Sequence, residues 1–182
     1  MKITLIRHGK VNMKWPGKCS SEEFDMACEE YDRSDLEYIN VVSSKRQTGS
    51  IYVSHLSRSI HTAKLLFPDS EYYEMSEIGE VPLKSFVDTP KRLPLWMWNV
   101  LGRVQWYIGS GRQLEKRKDT IQRANKVIDL CERKKEDCIL VTHGFFMHTL
   151  LKVLKNRGYQ VSGNKQFDIK NLQMIIAKNN EL

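Results

Sequence analysis

The chain has 182 residues, a formal net charge of +7, and a composition that is 41% hydrophobic and 28% charged. These values suit a globular protein with a substantial core, one domain over 1–182 with room for a helical cap within 84–120. They exclude a membrane-spanning protein: the most apolar segment, Leu93 to Ile108, is too short to cross a bilayer and contains Arg103.

The opening residues carry no signal-peptide pattern, so a cytoplasmic location is expected. Cys19, Cys28, Cys131 and Cys138 include no Cys-x-x-Cys pair, which predicts reduced thiols and no metal site. The excess of cations can steer anions or reflect an affinity for nucleic acid. The basic residues are scattered, however, apart from Arg112 to Lys118 and Arg133-Lys134-Lys135. The ordered aromatics and glycines of an RNA-binding module are not visible. No nucleic-acid or membrane partner is expected, and oligomeric state leaves no mark.

In chain order, Ile3-Thr4-Leu5-Ile6-Arg7-His8-Gly9 reads as a buried strand that turns at Gly9. Lys10 to Ser21, with Trp15-Pro16-Gly17, reads as a loop around the pocket mouth. Ser20 or Ser21 can cap a helix through Phe24, Ala27 and Tyr31, with Glu22 and Glu23 in its first turn. Asp35 to Thr48 is ambiguous. Gly49 then precedes a strand, Ile51-Tyr52-Val53.

The next helix places Leu56, Ile60, Ala63 and Phe67 in one stripe toward the sheet, with Arg58 off that stripe over the strand end. Pro68 stops it. Glu71 to Met75 reads as a strand, and Ser76 to Leu83 as a loop bearing Glu77 and Glu80. Leu93 to Ile108 reads as a helix whose Trp96, Trp98 and Trp106 serve packing. A polar helix follows with Ile121, Ala124, Ile128 and Cys131 on one side. The strand Cys138 to Thr142 ends at His143-Gly144, the helix through Phe146, Leu150 and Leu154 stops at Gly158, and Leu172 to Ala177 is a last strand before a frayed tail. The alternation predicts an α/β domain with a largely parallel sheet.

Three junctions then concentrate the chemistry at carboxyl ends of strands, where α/β proteins bind ligands. Arg7 and Arg58 offer planar forks of donors matched to phosphate oxygens. His143 opens a helix whose first amides favour an anion. His8 is free to attack phosphorus, kept neutral by the neighbouring arginines. A leaving alkoxide needs a proton, which Glu80 or Glu77 can supply. His55 adjoins this site; His61 and His148 read as surface or packing residues.

Those residues carry a resemblance. Leu5-Ile6-Arg7-His8-Gly9 is similar to the Arg-His-Gly signature of the histidine phosphatase superfamily, the phosphoglycerate-mutase-like group. Ser54-His55-Leu56-Ser57-Arg58-Ser59 with Thr62-Ala63 resembles its second motif, and Val141-Thr142-His143-Gly144 its third. The resemblance implies a three-layer α/β sandwich with helices on both faces of a mostly parallel sheet. It implies a metal-independent phosphomonoesterase without cofactor, with His8 as nucleophile and Arg7, Arg58 and His143 around the phosphoryl group. Glu80-Val81-Pro82-Leu83 resembles the acid-bearing form of one phosphatase-like branch, with Glu77 second. The chain departs from the pattern after Gly9: Lys10, Val11 and Asn12 stand where an acid or amide and a hydroxyl residue are usual, and Lys14 where an Asn is usual. Lys10 can add charge or face solvent. The chain is too compact for a mutase's insertion and tail, which favours a phosphatase over a phosphoglycerate-type mutase or a catalytically silent phospholigand-binding module. The expected partner is a phosphorylated small molecule or a phosphoprotein.

Overall fold

The protein is described by a computed structural model over residues 1–38, 49–162 and 168–180. Most of the ambiguous stretch from Asp35 to Thr48, and the last two residues of the tail, lie outside the described residues. The strands are β1 (Lys2–Arg7), β2 (Lys18–Cys19), β3 (Ser50–Ser54), β4 (Tyr73–Met75), β5 (Leu93–Pro94), β6 (Cys138–Thr142), β7 (Gln160–Ser162) and β8 (Met174–Lys178). The helices are α1 (Ser21–Arg33), α2 (Ser57–Leu66), α3 (Leu95–Ile108), α4 (Arg117–Lys134) and α5 (Gly144–Asn156).

Six strands form one sheet in the order β4-β3-β6-β1-β8-β7. The first four run parallel; β8 pairs antiparallel to β1, and β7 pairs antiparallel to β8 at the far edge. Each central strand is apolar on both sides, so each sheet face needs its own cover. Ile3, Leu5, Tyr52 and Leu140 pack with α4 and α5, whereas Ile6, Val53, Ile139 and Val141 pack with Ala63 and Leu66 of α2. This is the expected α/β sandwich with helices on both faces. The strand Gln160–Ser162 was not signalled by the sequence, because three residues of edge strand carry little periodicity.

Local signals explain the helix ends. Ser20 caps α1 in a reciprocal box with Glu23, its hydroxyl accepting from the Glu23 amide. Gly158 adopts φ +83 just past α5, a left-handed turn that favours glycine.

Two expectations are corrected. The buried face of α2 is Arg58, Ser59, Thr62, Ala63 and Leu66: Arg58 lies past the end of β6 against His143 and is fully buried there, while Leu56 and Ile60 of the expected apolar stripe are only partly covered. The helix turns its polar residues inward because its N-terminal half faces the polar end of the sheet. The tryptophans also divide: Trp98 and Trp106 are buried, but Trp96 is 64% exposed.

A second, smaller core lies apart from the sheet. Phe24 of α1 stacks on Trp98 of α3, their ring centroids 5.5 Å apart, with Cys19 beside them and Trp15, Leu83 and Phe86 around them. Burial of each large ring stabilises this unit by about 1.5–3 kcal/mol. The Trp98 indole donates to the Cys19 carbonyl at 3.0 Å, so burial leaves its N–H satisfied.

Candidate active site

Parallel pairing sets the site. Arg7 lies opposite Thr142, and Val53 opposite Val141, so β1, β3 and β6 end together. The residues just beyond those ends share one edge of the sheet. The His8 amide donates to the Thr142 carbonyl at 2.9 Å, which carries the ladder one residue past β1. The Asn171 side chain donates to the His8 and Gly9 carbonyls at 2.9 and 3.1 Å, clamping the turn from the far end of the sequence.

His8 is 1% exposed. Its Nδ1 lies 2.7 Å from the Gly9 carbonyl, which can only accept, so Nδ1 carries the hydrogen and the Nε2 lone pair is left free. Burial lowers its pKa to about 3, helped by the Arg58 and Arg7 cations and opposed by the bond to Gly9. The imidazole is therefore neutral at physiological pH.

His143 is fully buried, its ring centroid 5.0 Å from that of His8. Arg58 Nε donates to its Nδ1 at 3.2 Å, so the hydrogen sits on Nε2, which faces Ser54 Oγ at 2.7 Å and Ser59 Oγ at 3.3 Å. Burial, with His8 and Arg58 beside it, holds the pKa of His143 well below the ordinary imidazole value. Arg58 donates through Nη1 to Asp32 at 3.0 Å and to the Tyr31 carbonyl at 3.3 Å, and its guanidinium lies over the Tyr31 ring. Arg7 donates to the Ile169 carbonyl at 2.5 Å. Its guanidinium crosses Gly144 so closely that a Cβ there would stand 2.9 Å from Nε, which only glycine avoids.

Two guanidinium nitrogens in this group, Arg7 Nε and Arg58 Nη2, are buried without a hydrogen-bond partner. Buried donors are nearly always paired, and orphaned cationic donors beside a neutral histidine mark a place for an oxyanion.

The acidic loop separates its two candidates. A 3-10 turn over Ser76–Ile78 leaves Glu77 exposed, hydrogen-bonded to its neighbour Ser76. Glu80 lines the same cavity as Arg58. Its Oε1 accepts from the Val81 and Phe146 amides at 2.9 and 3.1 Å, and its Oε2 has one longer contact, 3.4 Å from the Phe145 amide. The group held by the first-turn amides of α5 is thus the Glu80 carboxyl. Arg123 fixes this arrangement by donating to the Glu77 and Gly79 carbonyls, both at 2.8 Å, while paired to Glu115.

The cavity over the site has a volume of about 650 Å³. Its walls come from the loop before α1 (Trp15), from α1 (Asp25, Tyr31, Asp32), from Glu80 to Lys84, and from α3 (Asn99, Arg103). His55 and Leu114 also line it. Lys10 does not: its ammonium pairs with Glu37 at 2.8 Å, and Asn12 and Lys14 are exposed outside that lining. His61 pairs with Asp35, and His148 packs edge-on near Phe145. Among the described residues, no group of three or more His, Cys, Asp or Glu is placed to hold a metal ion.

Sequence reasoning did not find Ser54, Tyr31, Asp32 or Asn171. Ser54 lies inside the second motif and could have been read from it as a strand-end hydroxyl. Tyr31 lies under the Arg58 guanidinium and stands edge-on to His8 at 6.5 Å between centroids, yet nothing local in α1 announces it.

A model of the histidine phosphatase superfamily (branch 1) matches residues 3–181, and the chain belongs to that family. No curated protein sequence matches it. Among solved structures, the fold is similar to a phosphoserine phosphatase from Entamoeba histolytica in complex with phosphoserine, at 17% identity and TM-score 0.57, covering 96% of this chain and 89% of that one. It is also similar to a mycobacterial glucosyl-3-phosphoglycerate phosphatase, at 18% identity and TM-score 0.53, covering 84% and 78%. A mycobacterial hydrolase is similar at 17% identity and TM-score 0.57, covering 84% and 78%.

Proposed function

With that membership as the premise, we propose that the protein is a metal-independent phosphomonoesterase working through a phosphohistidine on His8. The observation that carries the reading is the neutral, buried His8 with its free Nε2 beside two orphaned guanidinium donors. Arg7 and Arg58 hold the phosphoryl oxygens of a bound monoester, and His143, its ring nitrogens engaged by Arg58 and Ser54, positions the Arg58 guanidinium for that role. His8 Nε2 attacks phosphorus in line; the N–P bond forms as the P–O bond to the leaving group breaks. Glu80 delivers a proton to that oxygen through Oε2, the carboxyl oxygen less engaged by amides. Water then attacks phosphorus, Glu80 takes up its proton, and the N–P bond breaks to release phosphate and free His8. The similar solved structures include phosphatases named for phosphoserine and for glucosyl-3-phosphoglycerate, which supports a small phosphorylated substrate.

The test is hydrolysis of an aryl phosphate by wild type and His8→Ala with EDTA present throughout. The reading expects wild-type turnover, a loss of about a thousandfold or more in the variant, and an acid-labile phosphoenzyme in wild type only. Phosphate binding without turnover in wild type would establish a silent phospholigand-binding module instead. Wild-type activity abolished by EDTA would overturn the mechanism.

A further inference from the structure

α3 presents an apolar stripe to solvent. Trp96, Val100, Val104, Tyr107 and Ile108 are each between 48% and 70% exposed. At helical spacing they fall within an arc of about 120° and run for about 18 Å along the axis. The opposite face of the helix is already used: Trp98, Gly102 and Trp106 are buried against the protein. A contiguous exposed stripe of this kind on a monomer marks an interaction surface.

The charge around it selects the occupant. From Thr89 to Leu114 there is no acidic residue; Arg92 and Arg112 are paired to Glu23 and Asp88, Arg103 donates to the Val81 carbonyl and Glu115 is paired to Arg123, which leaves Lys91 before α3 and Lys116, Arg117 and Lys118 after it. The cations thus flank both ends of the stripe, with a tryptophan at one end and a tyrosine near the other. A second copy packed antiparallel on this face would bring Lys91 against the partner's basic residues after α3. A layer of anionic headgroups complements both ends at once. Amphipathic helices of this design lie in the plane of the membrane interface, which needs no spanning segment.

We propose that the exposed face of α3 seats the protein on an anionic phospholipid surface. Asn99 and Arg103, on the adjoining flank of α3, line the cavity that Arg58 and Glu80 share, as does Leu114, itself 72% exposed. The seated protein therefore opens its cavity beside the headgroup layer. This departs from the expectation of no membrane partner, which considered only a span.

The full chain is tested by co-sedimentation with vesicles of phosphatidylcholine alone and of phosphatidylcholine mixed with phosphatidylglycerol. The expected result is binding roughly tenfold or more tighter to the anionic vesicles, weakened by salt, with a blue shift of tryptophan emission. Val104→Ser should reduce that binding severalfold. Trp96→Phe should keep it while removing most of the blue shift. Val104→Asp should abolish it, whereas Leu65→Asp, the same charge change on exposed α2, should bind like wild type. Equal binding to both vesicle types overturns the proposal, as does equal loss in both aspartate variants. A concentration-dependent dimer that Val104→Asp dissociates would assign the face to a second copy instead. Thermal melts of each variant identify any loss due to unfolding, and the wild-type vesicle comparison stands independently of them.

Discussion

At the sheet edge, buried His8, Arg58 and His143 and half-buried Arg7 are anchored at or beside the ends of hydrogen-bonded strands. The facing wall, made of α1, the segment Glu80 to Phe86 and α3, rests on its own small core around Phe24 and Trp98. It is tied by polar contacts: Asp25 accepts from the amide and hydroxyl of Ser85 at 2.6 and 3.0 Å, and Arg112 donates to the Ser85 carbonyl at 2.6 Å and pairs with Asp88. The first region holds reacting groups by register, while the second shapes space by packing. Damage to the edge should appear in chemistry, and damage to the wall in stability and in discrimination among substrates.

The sharpest test of that division crosses it at Glu80, which belongs to the wall by sequence and to the edge by contact. Glu80→Gln should lower kcat on alkyl phosphates by about 10²–10⁴, and much less on an aryl phosphate whose leaving group needs no proton. Glu77→Gln should leave both rates within about twofold, because that side chain faces solvent.

Gly144→Ala attacks the edge through sterics alone. The added methyl meets Arg7 Nε at 2.9 Å and Cζ at 3.1 Å, so the guanidinium must shift. Activity should fall roughly ten- to a hundredfold, with a stability loss of about 1–3 kcal/mol, checked by steady-state kinetics beside urea melts. Asp25→Ala breaks the wall instead. Leaving the Ser85 amide and hydroxyl without their acceptor should cost about 1–3 kcal/mol while hydrolysis of a small aryl phosphate changes less than threefold, measured on the same samples. An equal fall in turnover would show that wall and edge act as one unit.

A pH dependence tests the edge without any substitution. An unfolded chain protonates His8 as pH falls through about 6.5, but the native state resists until about 3. The unfolded state therefore binds more protons in that window, and stability declines on acidification from 6.5 toward 3, by at most about 1.4 kcal/mol per pH unit for this group. Buried His143 adds in the same direction. Urea midpoints measured between pH 7 and 5 should fall, and His8→Asn should flatten the slope.

How much was legible follows the same line. Arg7, His8 and His143 each sit at the end of an apolar run and Arg58 in the first turn of the helix after one, so a short stretch of chain displays both strand and ligand. The choice between Glu77 and Glu80 was open from the residues alone, since both lie in one loop, and only the resemblance ranked Glu80 first. That choice depends on a 3-10 turn and on Arg123, 46 residues from Glu77, gripping two carbonyls. The inward face of α2 was misread because apolar periodicity assumes a greasy floor, whereas this helix starts over polar strand ends. Trp96 was misread for a related reason: periodicity on α3 fits two apolar faces, and only tertiary contact tells which one is covered.

The clamp of Asn171 on the His8 carbonyl spans 163 residues. On the ribosome, the proposed nucleophile is made almost at once, but its turn stays unsupported until Ile169 and Asn171 emerge and β8 pairs with β1. At usual elongation speeds that interval is on the order of ten seconds. Nascent chains should therefore be inert, and activity should switch on only after β8 is synthesised, which makes the last strand a timer for the first.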